Sequence, residues 1–244
     1  MKVFGITDKG KVRKENQDRF LIEVIDDKDC VIAVLCDGMG GARAGGTASS
    51  MAVETFMSHA IAYFNSESDT RSINEMTTAA CAAANDEIYR KSITDFGCIG
   101  MGTTLVSAIV KDTEAVVANI GDSRAYLISG EKIEQITCDH SLVWELLKSG
   151  SITKDEAKNH PRKNIITRAV GVDRAVLCDV FTLDIKKNDI ILLCSDGLTN
   201  LVEDEELLSA FKGKTSPEKS CGKLMNTALK RGAHDNVTVT AIQR

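Results

Sequence analysis

Arg13, Asp18, Asp37, Asp122, Asp196 and Asp235 are the side chains of this sequence whose types and positions point to shared chemistry. The five aspartates each stand where a polar loop meets an apolar run, and Arg13 lies just ahead of the first. Singly, each has a plain structural reading. Asp-Gly is a common hairpin turn, and lone loop acids and arginines are mostly solvated. Repetition changes that reading, because such junctions converge at one end of a packed β core. Carboxylates gathered there repel and raise one another's pKa unless a cation neutralises them. Every candidate ligand is a hard oxygen, and no His or Cys pair has zinc spacing, so Mg²⁺ or Mn²⁺ is favoured over Zn²⁺. Two such ions bridged by an Asp would hold a hydroxide nucleophile. The Arg13 guanidinium is a fork suited to gripping phosphate oxygens in pairs.

The elements that must position these residues follow from hydrophobic pattern. CVIAVLC at 30–36 is unbroken by polar residues, too short for a membrane span and right for a strand buried on both faces. It delivers Asp37, after which Gly38, Gly40 and Gly41 let the chain turn tightly and leave backbone groups open to a ligand. A dinucleotide-binding turn begins in the same way, but GMGGAR lacks the glycine spacing, and a second long helix follows where a ribose-binding acid should end a strand. AVVANIGD ends in Asp122, DIILLC delivers Ser195 and Asp196, and Asp235 precedes the alternating VTVTAI.

Lys2 to Thr7 and Arg19 to Ile25 read as strands, while TTLVSAIV, AVVANIGD and RAYLIS read as hairpin-linked antiparallel strands. Helices are expected over about 44–64, 71–91, 204–211 and 217–231. In the first, Ala48, Met51, Ala52, Phe56, His59 and Tyr63 share an apolar face, so His59 reads as a packed core histidine. Between 139 and 171 short helical pieces surround the only Trp, and this segment reads as a flap or insertion. Its basic residues near Pro161 either form a solvated face or meet an anionic substrate.

With 244 residues, 43% of them hydrophobic, and no composition shift, the chain reads as one domain over 1–244. The net charge of -5 and the lack of any Lys/Arg block argue against nucleic acid. Eight cysteines without a Cys-x-x-Cys pair read as buried free thiols of a reducing cytoplasm. MKVFGITDKG lacks a signal peptide's apolar core, and no segment reaches the roughly 20 apolar residues of a bilayer span. A cytoplasmic monomer without a membrane anchor is expected.

In order along the chain, RKENQD at 13–18, DGMGG at 37–41, GTT at 102–104, GDSR at 121–124, DHSLVWELLKSG at 139–150, NHPRKNIITRAVG at 159–171, SDGLTN at 195–200 and HDNVTV at 234–239 resemble the motifs of the metal-dependent protein phosphatases of type 2C. The flap wording resembles the small stand-alone bacterial members. The resemblance implies a serine/threonine phosphatase in which a hydroxide bridging two Mn²⁺ or Mg²⁺ ions attacks phosphorus directly, with no phosphoenzyme. It implies an α+β fold: a four-layer α-β-β-α sandwich with two central antiparallel sheets, flanked by helical pairs and carrying the flap. By the same resemblance Asp37 bridges the metals, Gly38 offers a carbonyl, Asp196 and Asp235 complete the pair, Asp18 supports a metal's waters and Arg13 holds phosphate. A third, weaker metal would use Asp122, although Asn200 stands where some members have another acid. Phosphoproteins are the implied substrates, with a cognate serine/threonine kinase as partner.

Met39 and Ala42 occupy positions where members carry a histidine proposed as the general acid. Such an acid contributes roughly 10²- to 10⁴-fold, so its loss weakens catalysis without abolishing it. A metal-bound water, His234 or His140 is left to protonate the leaving oxygen. A catalytically silent scaffold is disfavoured because every core metal-binding acid is present.

Overall fold

In the computed structural model, which describes residues 1–40, 44–66, 68–213 and 215–244, strands β1 (Lys2–Asp8), β2 (Asp18–Ile25) and β3 (Cys30–Met39) come first. Helices α1 (Ala44–Asn65) and α2 (Ile73–Thr94) follow, then β4 (Gly102–Thr103), β5 (Leu105–Lys111), β6 (Glu114–Ile120), β7 (Arg124–Ser129) and β8 (Lys132–Gln135). Short helices α3 (Leu142–Lys148) and α4 (Lys154–Lys158) lead to β9 (Asp179–Asp184) and β10 (Ile190–Cys194). A single helical turn, α5 (Asp196–Thr199), then α6 (Asp204–Ala210), α7 (Pro217–Lys230) and β11 (Val237–Gln243) complete the order.

The strands form two sheets, ordered β1-β11-β10-β7-β8 and β2-β3-β5-β6-β9, with β4 beside β3. Every pairing is antiparallel. The unbroken apolar character of β3 has a direct cause. Cys30, Ile32, Val34 and Cys36 pack with α1 and α2, while Val31, Ala33 and Leu35 point into the layer between the sheets. In β10, Ile190, Leu192 and Cys194 face the layer of α6 and α7, and Ile191 and Leu193 face the other sheet. A strand covered on both faces has no place for a polar alternate residue. The result is the α-β-β-α sandwich implied by the motifs.

The apolar stripe of α1 runs through Ala48, Ala52, Phe56, Ala60 and Phe64, all buried. His59 lies one residue, roughly 100°, off that stripe. It is exposed, not packed in the core, and its Nδ1 lies 2.9 Å from the Thr55 carbonyl. Helix α2 begins with a capping box between Ser72 and Glu75, and α7 with a Ser216 cap and Pro217 in its first turn. All eight cysteines are free, but Cys138 is exposed and Cys178 half-buried, so the uniform burial expected of the thiols does not hold. Strand β8 and the turn α5 are four residues each, too short for hydrophobic pattern to reveal them, and sequence reading does not single out β9, Asp179–Asp184, either.

One connection differs in kind from the expectation. Between β6 and β7 the chain makes no hairpin; it passes from one sheet to the other through Gly121, Asp122 and Ser123. Gly121 has φ +109°, and a Cβ there would lie 2.6 Å from Thr104 Cγ2, so only glycine allows the crossing. Segment 139–171 holds α3 and α4 and is joined to the body by the Thr103–Val170 pairing. Among the described residues no helix is long and apolar enough to cross a membrane.

Phe56 is fully buried between α1 and its sheet. Phe56→Ala is expected to lower unfolding free energy by about 3–5 kcal/mol, read from urea denaturation of the chelator-treated protein.

Candidate active site

Both sheets contribute acids to one end of the sandwich. Asp18 opens β2 directly opposite Asp37 on β3. Asp196 follows β10, and Asp235 precedes β11, the neighbour of β10 in the other sheet. Asp122 enters through the crossing. Asp18 is fully buried and ties the sheets together: its Oδ2 accepts from Ser195 Oγ at 2.8 Å and from Thr238 Oγ1 at 2.6 Å. The Thr238 amide in turn donates to Ser195 Oγ at 3.0 Å.

Asp37 is held by its backbone. Its amide donates to Thr104 Oγ1 at 2.9 Å, and its carbonyl accepts from Thr103 Oγ1 at 2.8 Å and from the Thr104 amide at 2.9 Å. The carboxylate is thereby left to other partners. A Cβ on Gly38 would lie 2.2 Å from the Gly45 carbonyl oxygen and 2.7 Å from that of Gln17, so this position admits only glycine. Arg13 Nη2 donates to Asp235 Oδ2 at 2.7 Å. Asn236 joins the Arg13 loop to this corner, accepting from the Gln17 amide and donating to the Lys9 and Glu15 carbonyls, each at 2.9 Å. Asn200 Nδ2 donates to Asp196 Oδ2 at 3.0 Å.

Burial first, and then the neighbouring acids, push the carboxyls upward. Asp18 is raised to about 7 and Asp122 to about 8, while Asp37 is raised well above the ordinary range and Asp196 is also raised. Asp37 feels Asp18, Asp196, Asp122 and Asp235. The Arg13 guanidinium is raised by its hydrogen bond to Asp235 and by the charges of Asp37 and Asp196. Among the described residues no three His, Cys, Asp or Glu side chains form a ready-made cage around one point. Mg²⁺-like ions complete their shells largely with water and need only one or two carboxylates each. Asp18 Oδ1 and Asp196 Oδ1 are buried without a hydrogen-bond partner. Two orphaned hard oxygens in an acid cluster fit divalent cations.

All the expected charged residues therefore lie within electrostatic reach of Asp37, and Gly38 adjoins it. Met39 is half-buried, with its methyl end over Gly102, where a Cβ would lie 2.7 Å from Met39 Cε; it carries no proton to give. Gly41 and Ala42 lie outside the described residues. His140 is buried with both ring nitrogens engaged, which removes it as a proton donor to substrate, whereas His234 is exposed. Ser195, Thr238, Thr104 and Asn236 are supports that sequence reading does not single out. The one signal for Thr238 is a polar residue that recurs in the inward register of VTVT. Beside Asp122 and Asp196 a cleft of about 600 Å³ opens toward the flap, with Trp144, Lys154 and Lys163 on its far wall.

An acid cluster repels a phosphate ester unless cations stand between them, and an arginine at its rim selects for an anion; together these define a metal-dependent phosphatase. The chain belongs to the protein phosphatase 2C family, whose model matches residues 10–231. It is 41% identical over 239 residues to the serine/threonine phosphatase stp of Listeria monocytogenes, covering 98% of this chain and 94% of that protein. The crystal structure of Stp1 from Staphylococcus aureus superposes with a TM-score of 0.91 at 36% identity, over 99% of this chain and 94% of that one. The catalytic domain of PstP, solved in complex with two manganese ions, gives 0.85 at 30% identity over 98% and 96%.

The raised Asp18 carboxyl sets a pH dependence. Its folded pKa, about 7, exceeds the ordinary 3.8, so the folded chain binds more protons than the unfolded one across that interval. Stability therefore falls as pH rises through it. Chelator-treated protein should unfold at a lower urea concentration at pH 7.5 than at pH 5, and Asp18→Asn should flatten the difference. An equal midpoint at both pH values in the parent protein would overturn the assignment.

Proposed function

We propose that the chain removes phosphate from phosphoserine and phosphothreonine in proteins, as one catalytic domain over 1–244 with 139–171 as its flap. The observation that carries this reading is the backbone clamp on Asp37, which fixes its carboxylate among Asp18, Asp196 and Asp235 with Arg13 at the rim. Asp37 would bridge two Mn²⁺ or Mg²⁺ ions, the Gly38 carbonyl would face one of them, and Asp196 and Asp235 would complete the pair. Asp18, gripped through Oδ2, keeps Oδ1 for the water around an ion. Asp122 would serve a third, weaker ion. Bound there, the ions supply the positive charge that makes a water molecule nucleophilic near neutral pH and polarises the phosphoryl oxygens.

The chain's own groups do the rest. Arg13, paired with Asp235 in the structure, turns its fork to the phosphate when substrate arrives and sets the phosphorus in line for attack. The cleft toward the flap receives the protein segment around the phosphorylated residue. Position 39 offers a thioether and His140 is fully engaged, which leaves water or the exposed His234 to give the leaving oxygen its proton. Eight unpaired thiols support a cytoplasmic location. A serine/threonine kinase acting on the same proteins is the natural counterpart of this activity, and the enzyme is read as a monomer.

Chelator-treated protein should leave a phosphothreonine peptide intact, and added Mn²⁺ should restore hydrolysis; hydrolysis at equal rates with and without metal would sink the proposal. Asp37→Asn and Asp196→Asn should each remove the Mn²⁺-dependent activity while leaving the far-ultraviolet circular dichroism unchanged. Arg13→Ala removes charge-assisted hydrogen bonds worth about 1.5–3 kcal/mol, so kcat/KM for a phosphopeptide should fall roughly 10- to 150-fold. Unchanged kinetic constants would refute the phosphate grip.

A further inference from the structure

We infer that His140 is a positioning residue for Asp122, a role that rests on reading Asp122 as a metal-binding acid. His140 is 8% exposed, and it clasps the residue before Asp122 from both sides. The Gly121 amide donates to His140 Nδ1 at 2.9 Å, and the His140 amide donates to the Gly121 carbonyl, also at 2.9 Å. Asn119 Nδ2 donates to that same carbonyl at 3.2 Å.

The clasp fixes the state of the ring. A backbone N–H only donates, so Nδ1 is the bare nitrogen and the ring's single proton sits on Nε2. There it is donated to Asp179 Oδ2 at 3.0 Å. Asp179 is held in turn, since its Oδ1 accepts from Arg168 Nη1 at 2.7 Å. A protonated imidazole would set two donors against each other at Gly121, so the geometry requires the neutral ring.

The crossing between the sheets needs this support. Gly121 carries the positive φ that turns the chain, and Asp122 projects from the very next peptide. With the ring removed, the buried Gly121 amide loses its acceptor, and the crossing relaxes to find another. His140 is itself the second residue of the flap segment, and its carbonyl accepts from the Thr167 amide near the segment's other end at 2.8 Å. The chain of contacts Arg168, Asp179, His140, Gly121 thus joins the flap to the acid cluster without a side chain entering the cluster.

Three substitutions separate positioning from packing. In His140→Asn the side-chain oxygen stands where Nδ1 was and still accepts from Gly121. His140→Gln reaches only the Nε2 position, and His140→Ala neither. Mn²⁺ binding is measured by calorimetry and Gly121 amide exchange by NMR on the metal-free protein, with Asp122→Asn alongside. His140→Ala and His140→Gln are expected to speed Gly121 exchange and to weaken the weakest Mn²⁺ step roughly 10- to 100-fold, as loss of a ligand-orienting contact does. His140→Asn should restore both. A lowered melting temperature with parental Mn²⁺ binding in His140→Ala, while Asp122→Asn binds less, would overturn the inference and leave only a packing role. Parental binding in Asp122→Asn would overturn the reading of Asp122 itself, and the inference with it.

Discussion

Repulsion among carboxylates held out of bulk water is the constraint on which the rest of the molecule depends. Burial and neighbouring acids raise Asp18, Asp37, Asp122 and Asp196, so their gathering is unfavourable on its own. What opposes that repulsion is the apolar layer between the sheets, where Val31, Ala33 and Leu35 of β3 meet Ile191, Leu193 and Ile242 of the opposite sheet. The clasp of Ser195 and Thr238 on Asp18 then fixes how the two sheets meet at their functional end. Strain of this kind persists only where its surroundings over-determine it, and here they do.

Cations of the chain itself answer part of this charge, and unequally. Arg124 is close enough to lower Asp122 and Asp196, yet its guanidinium is engaged pairwise by the Asp139 carboxylate. Arg13 is more than half exposed and holds Asp235 by one short contact. The half-buried Arg124 is thus committed to Asp139 through several hydrogen bonds, while the more exposed Arg13 is held by one.

Much of this was legible in the sequence because the same burial that makes the site also marks it. Strands β3 and β10 read as apolar runs since both their faces are covered, and an acid directly after such a run is conspicuous. Met39 and Ala42 read as missing proton donors only through the resemblance to the family's motifs. The supports were not legible. Ser195 and Thr238 lie 177 and 220 residues from Asp18, and no local pattern reports a contact across that span. The crossing at Gly121 looked like a hairpin because a short polar turn between two apolar strands carries the same residues whether the strands pair or part. His59 misled for a narrower reason, since a stripe advancing by four residues and one alternating threes and fours share their first members, here Ala48, Ala52 and Phe56, and then part.

The order in which the sites of contact occur along the chain has a consequence for synthesis. Strand β1 is flanked in its sheet by β11, and Arg13 reaches Asp235 across 222 residues. Asp18 and Asp37 are made early, but their partners in the other sheet come last, so a growing polypeptide on the ribosome carries a half-built site with its acids unmatched. The acid cluster is complete only when Asp235 and the strand after it have emerged and closed the sheet.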